Sequence, residues 1–75
     1  MRLIKTTMVN GEIYQQDICK VPETLFSSVR ALKMFLETHA TRELGENARV
    51  IRNPQGCIVP LHAFDPNTGD TLHIE

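Results

Sequence analysis

The fold turns on the stretch Arg49-Val-Ile-Arg-Asn-Pro-Gln-Gly56 and, after Cys57-Ile-Val-Pro60, Leu61-His-Ala-Phe-Asp-Pro-Asn-Thr-Gly-Asp-Thr-Leu-His-Ile74. Ala48 to Arg52 reads as a strand. Asn53-Pro-Gln-Gly56 has the sequence of a type I turn, with a glycine suited to the left-handed position. Thr71-Leu-His-Ile74 reads as a final strand entered through Gly69-Asp70. The residues between admit two readings. Asp65-Pro-Asn-Thr-Gly69 has the composition of a hairpin loop, which makes 57–64 the middle strand of a three-stranded meander. Pro60 opposes this, because a central strand needs an amide hydrogen at each position. Either Pro60 marks a bulge, or the strand ends at Val59 and Pro60 starts a helical turn.

Toward the N-terminus, residues 2–9 and 13–21 are extended segments around Asn10-Gly11, a dipeptide that favours positive φ and hence a hairpin turn. A three-residue loop, Asn10 to Glu12, puts Ile4, Met8, Tyr14 and Ile18 on one face and Lys5 opposite Asp17. A two-residue loop sets Ile4 against Asp17 instead. The cross-strand charge pair favours the longer loop. Pro22 ends the second strand, and Thr24 reads as the N-cap of a helix. Leu25, Val29, Leu32 and Leu36 then form an apolar stripe widened by Phe35, with Arg30, Lys33, Glu37 and an odd Met34 opposite. The helix is expected to fray near Thr38 or to run on to Gly45. One apolar stripe implies one layer of sheet to pack against, so the chain reads as a single α+β domain over residues 1–75.

Composition narrows the function. A chain of 75 residues has little left over for an enclosed active-site cavity. Eight basic against nine acidic residues is poor material for a nucleic-acid binder, which needs a concentrated basic stripe. Met1-Arg-Leu-Ile-Lys5 lacks the apolar run of a secretory signal, and no apolar stretch approaches the ~20 residues of a membrane span. Cys19 and Cys57 fit reduced thiols in the cytoplasm better than a disulfide.

The order of hairpin, helix, short strand, irregular turn and final strand resembles that of the ubiquitin-like β-grasp family. Lys5-Thr6 ahead of the hairpin turn, Thr24 after a proline, Val29-Arg-Ala31, Arg49-Val-Ile51 and the ungapped run from Leu61 to Ile74 with Phe64 at the aromatic position carry the likeness. Bacterial small ubiquitin-like proteins look similar in length and in the Gly-Asp-x-Leu entry to the last strand. Small β-grasp subunits of multicomponent monooxygenases share that ending less closely. The resemblance implies a β-grasp: a mixed sheet of four to five strands, the last running parallel to the first, with one helix on one face. It also selects the second reading of Pro60. Ubiquitin-type modifiers end in a Gly-Gly tail, whereas this sequence stops at Ile74-Glu75, so the resemblance implies a module that is bound rather than conjugated. It places the recognition surface on the outer face of the sheet, at Met8 or Val9, Ile51 and His73, with Arg49 and Arg52 alongside. Glu75 stands where that patch would continue with an apolar residue.

Other chemistry has weaker support. Cys57 and His62 lie close in sequence, but the paired short spacings of a zinc site are missing, and no metal or cofactor is expected. A Cys57–His62 nucleophile pair would need a thiolate, a base and an orienting group in a cleft, so a packed structural thiol is the expectation and no catalytic residue is assigned. Asp65, Asn67 and Asp70 lack the ligand ladder of a calcium loop. Two functional classes remain. One is a non-catalytic ubiquitin-like binding module or small accessory subunit acting on another protein, without nucleic-acid binding or membrane insertion. The other is a stand-alone α+β inhibitor or adaptor of a host enzyme complex, of the kind that mobile elements and phages encode. A last strand parallel to the first supports the former, and a C-terminal antiparallel meander the latter.

Overall fold

The computed structural model describes residues 1–75 as one helix packed against a five-stranded sheet. The strands are β1 (Arg2–Val9), β2 (Glu12–Lys20), β3 (Arg49–Arg52), β4 (Leu61–Phe64) and β5 (Thr71–Ile74). A 3-10 turn (Glu23–Ser27) and helix α1 (Val29–Glu43) separate β2 from β3. The sheet order is β2-β1-β5-β4-β3, and each neighbouring pair is antiparallel.

The α+β layering matches the sequence reading, but the strand directions do not. β5 runs antiparallel to β1, with Leu3 opposite Ile74 and Thr6 opposite Thr71, so the expected mixed sheet is wrong. The cause lies in the loop Asp65–Asp70, which turns the chain straight back. The Asp65 N–H donates to the Asp70 carbonyl (2.9 Å), and the Gly69 N–H donates to the Asp65 carbonyl (2.8 Å). Gly69 adopts φ +82°, and the Asp65 carboxylate accepts the Asn67 N–H (2.8 Å). β4 and β5 therefore form the hairpin that Pro60 argues against in the sequence. Pro60 stands just before β4, where no amide hydrogen is required, and its carbonyl accepts the Asn53 N–H (2.8 Å).

The first hairpin also differs from the expected register. Asn10 (φ 52°) and Gly11 (φ 80°) form a two-residue loop with Val9 opposite Glu12. Positive φ at both positions matches the twist of the flanking strands. Ile4 then meets Asp17, and Lys5 meets Gln16. Two features compensate. The register shifts between Leu3 and Ile4, leaving Ile18 as the extra residue of a bulge. The Arg2 guanidinium reaches diagonally to Asp17, its Nε donating to both carboxylate oxygens at 2.9 and 3.0 Å.

Thr24 does not cap the helix. It lies in the 3-10 turn, where its carbonyl accepts the Ser27 hydroxyl (2.7 Å), and Ser28 is the N-cap, accepting the Ala31 N–H (3.2 Å). Starting the helix at Val29 rotates that residue into solvent, whereas Leu32, Leu36 and Ala40 are buried. At the far end α1 reaches Glu43, and Lys5 donates from Nζ to the Glu43 carbonyl (2.9 Å). A cation there favours the negative end of the helix dipole.

That lysine also identifies the covered face of the sheet. Leu3, Val21, Leu61, Ala63, Leu72 and Ile74 alternate onto it and pack with Leu32, Leu36, Ala40 and Val59 in a cluster of ten buried residues. Ile4 is buried but stands outside the cluster, because it points to the opposite face.

Candidate protein-binding face

The face turned away from the helix is set by alternation: Arg2, Ile4, Thr6 and Met8 on β1, Ile13, Gln15 and Asp17 on β2, Arg49 and Ile51 on β3, His62 and Phe64 on β4, and Thr71 and His73 on β5. Met8, Arg49, Ile51 and His73 of the expected patch therefore share this face. Val9 and Arg52 alternate to the other side.

The register assembles a row across the sheet. Ile4 lies between Asp17 and His73, and Ile51 lies opposite His62. One step along from the Ala63–Leu72 pair, His62 comes opposite His73. Because Asp65 bonds Asp70, the alternation makes this a non-hydrogen-bonded pair, the arrangement that brings side chains closest. The row thus reads Asp17, Ile4, His73, His62, Ile51. Phe64 lies beside it, paired with Thr71 on one flank and Arg49 on the other, its ring 6.4 Å from that of His62.

Met8 does not join this row. It pairs with Ile13 on the part of the β1–β2 hairpin that extends past the last β1–β5 pair, Thr6–Thr71. Met8, Val9, Ile13 and Tyr14 are all exposed on that arm, and the Tyr14 hydroxyl donates to Glu12 Oε2 (2.6 Å).

His62 is the functional candidate that sequence reasoning missed in this role. Asn53 fixes its ring: Asn53 Nδ2 donates to the Val59 carbonyl (2.7 Å), which aims Oδ1 at His62 Nδ1. A carbonyl oxygen there accepts, so Nδ1 carries a proton. Partial burial, and secondarily the nearby His73, push the His62 pKa below its ordinary value. The alternation Leu61, His62, Ala63, Phe64 was the available signal, since it sets an apolar pair against an aromatic pair within one short strand.

The rim of this face carries Arg49 at one end and the paired Arg2 and Asp17 at the other. Arg2 and Asp17 form an ion pair (2.9 Å), His73 Nε2 lies 3.7 Å from Glu75 Oε1, and neither Arg49 nor Arg52 has an acidic partner. An open cavity of about 440 Å³ lies at the end of β3, with Arg52, Asn53, Cys57 and Leu61 among its lining residues. Cys57 is exposed, which corrects the expectation of a packed thiol. Cys19 is half-buried, and the two are not bonded. No three His, Cys, Asp or Glu side chains converge as a metal site, and no helix is long and apolar enough to cross a membrane.

A scan against protein-family models matches none, and searches of curated proteins and of solved structures find no match.

Proposed function

We propose that this chain is a non-catalytic protein-binding module acting through the open face of its sheet. The observation that carries the reading is the row Ile4, His73, His62 and Ile51 with Phe64 beside it, on the face opposite the helix. Apolar and imidazole groups with the unpaired Arg49 at one end and the Arg2–Asp17 pair at the other suit a buried interface core with a polar rim. The antiparallel β4–β5 hairpin and β1–β5 ladder favour the stand-alone α+β adaptor or inhibitor of a host enzyme complex over a ubiquitin-like module. A β-grasp would need those terminal strands parallel. The unbonded thiols of Cys19 and Cys57 fit a reducing cytoplasm.

The test is a binding titration against a partner recovered with the intact chain. Ile51→Ala combined with His73→Ala is expected to weaken binding at least ten-fold while the domain stays folded, because a few central residues dominate interfaces. Cys19→Ser with Cys57→Ser is expected to bind normally. The opposite pattern would overturn the proposal in favour of a thiol-dependent function.

A further inference from the structure

The sheet has two edges, β2 and β3, and they are differently protected. Bonding in an antiparallel ladder alternates, so every second residue of an edge strand turns its N–H and C=O away from its neighbour. Asn53 bonds Pro60 across the β3–β4 ladder, so Arg49 and Ile51 face β4 in the same phase. Val50 and Arg52 are then left with outward N–H and C=O groups, a template for another strand. The β2 edge is blunted by the Ile18 bulge and by the Arg2–Asp17 ion pair. β3 has no bulge and no internal proline, and its two charged residues have the same sign and no acidic partner.

We propose that β3 is a strand-addition site for an extended acidic segment of a partner protein. This rests on the binding-module reading and names the chemistry of the partner. Lying antiparallel, the segment places a carboxylate opposite Arg52, an apolar residue opposite Ile51 and a second carboxylate opposite Arg49. Its order is acidic, apolar, any residue, acidic. The first carboxylate falls on the helix side, beside the cavity that Arg52 and Asn53 line. The apolar residue extends the row ending in Ile51, itself 40% exposed, onto the partner. A second copy of this chain is a poor occupant. β3 against β3 gathers four guanidinium groups at one seam, and like charges across paired strands repel.

The probe is a short capped fluorescent peptide with aspartate, isoleucine, threonine and glutamate in that order at its centre, followed by anisotropy. The residues meeting Arg52 and Val50 are the aspartate and the threonine, so N-methylation of those two amides removes the ladder while keeping every charge. Saturable binding is expected, weakened at least ten-fold by N-methylation and at least ten-fold by Arg49→Gln with Arg52→Gln. Gln15→Lys on the β2 edge is expected to change it less than two-fold. Equal binding of the N-methylated peptide would reduce the contact to charge attraction and overturn the proposal. So would binding no tighter than that of a peptide with lysines at the acidic positions. His73→Ala alone leaves β3 intact and separates the two readings. If it weakens the recovered partner while the peptide fails to bind, the edge proposal falls and the binding face stands. If the peptide binds as expected while His73→Ala has no effect on the partner, the open-face reading falls and the edge stands.

Discussion

The covered face and the open face are made of alternate residues of the same five strands, yet they hold their apolar groups differently. On the covered face Leu3, Leu72 and Ala63 are fully buried beneath Leu32 and Leu36. On the open face Ile4 is buried by its neighbours within the sheet, while Ile51, Met8 and Ile13 remain exposed. Stability is therefore concentrated on one side of the sheet, which leaves the other free to be selected for contact. A domain of this size has little reserve, so the division ought to be visible in single substitutions.

The largest effect is expected at the centre of the covered face. Leu36→Ala should cost about 2–5 kcal/mol in denaturant unfolding, from lost burial plus the cavity left behind. Val29→Ala on the same helix should stay within about 0.5 kcal/mol, as exposed positions do. Equal losses at the two sites would break the assignment of the helix face. Ile4→Ala should fall between them, at about 1–3 kcal/mol, because it loses burial without opening the main cluster. A loss as large as that of Leu36→Ala would mean that the open face carries a core of its own.

Gly11→Ala is expected to cost about 1–2 kcal/mol, since a side chain at φ +80° is strained although nothing lies within 4 Å of the added Cβ. Loss of the hairpin without loss of the remaining sheet, followed by amide exchange, would show the projecting arm to be separable from both faces.

The smallest effect is electrostatic. Burial first, and His73 second, lower the folded-state pKa of His62 below its ordinary value near 6.5. Between those two values the unfolded chain binds more protons than the folded one, so stability rises with pH across that window. This contribution is complete above about pH 6.5 and is lost as pH falls through the lowered folded-state pKa. Melting temperatures at pH 7.5 and 5.5 should differ less for His62→Gln than for the parent chain. An unchanged pH response would show that the open face leaves its imidazole as free as solvent does.

Local signals were legible in the sequence, and long-range ones were not. Asn10-Gly11, Gly56 and Gly69 announce positive φ, and the Leu32–Leu36 stripe announces the buried side of the helix. Thr24 and Ser28 are both competent caps. The choice between them depends on the 3-10 turn that follows Pro22, and it shifts Val29 out of the core. The hairpin register could not be read from charge, because Arg2 rather than Lys5 pairs with Asp17 and a bulge absorbs the offset. Strand direction at the C-terminus depends on where Pro60 falls relative to the first residue of β4, and a shift of one position decides it. Of the expected patch, Met8, Arg49, Ile51 and His73 needed only alternation to be placed. Ile4, His62 and Phe64 emerge only once the strand order brings them into neighbouring rows.

The antiparallel pairing of β1 with β5 has a mechanical consequence. Arg2 and Glu75 exchange reciprocal backbone hydrogen bonds of 2.8 and 2.9 Å, so both ends of the chain leave the sheet from the same end of one ladder. A force applied through Met1 and Glu75 pulls across that ladder, loading the Arg2–Glu75 pair first and each following pair only after the last has broken. Parallel terminal strands would be loaded in shear, with all their bonds strained together. This chain should therefore unzip from its ends at low force, opening the middle of the sheet while both hairpins are still closed.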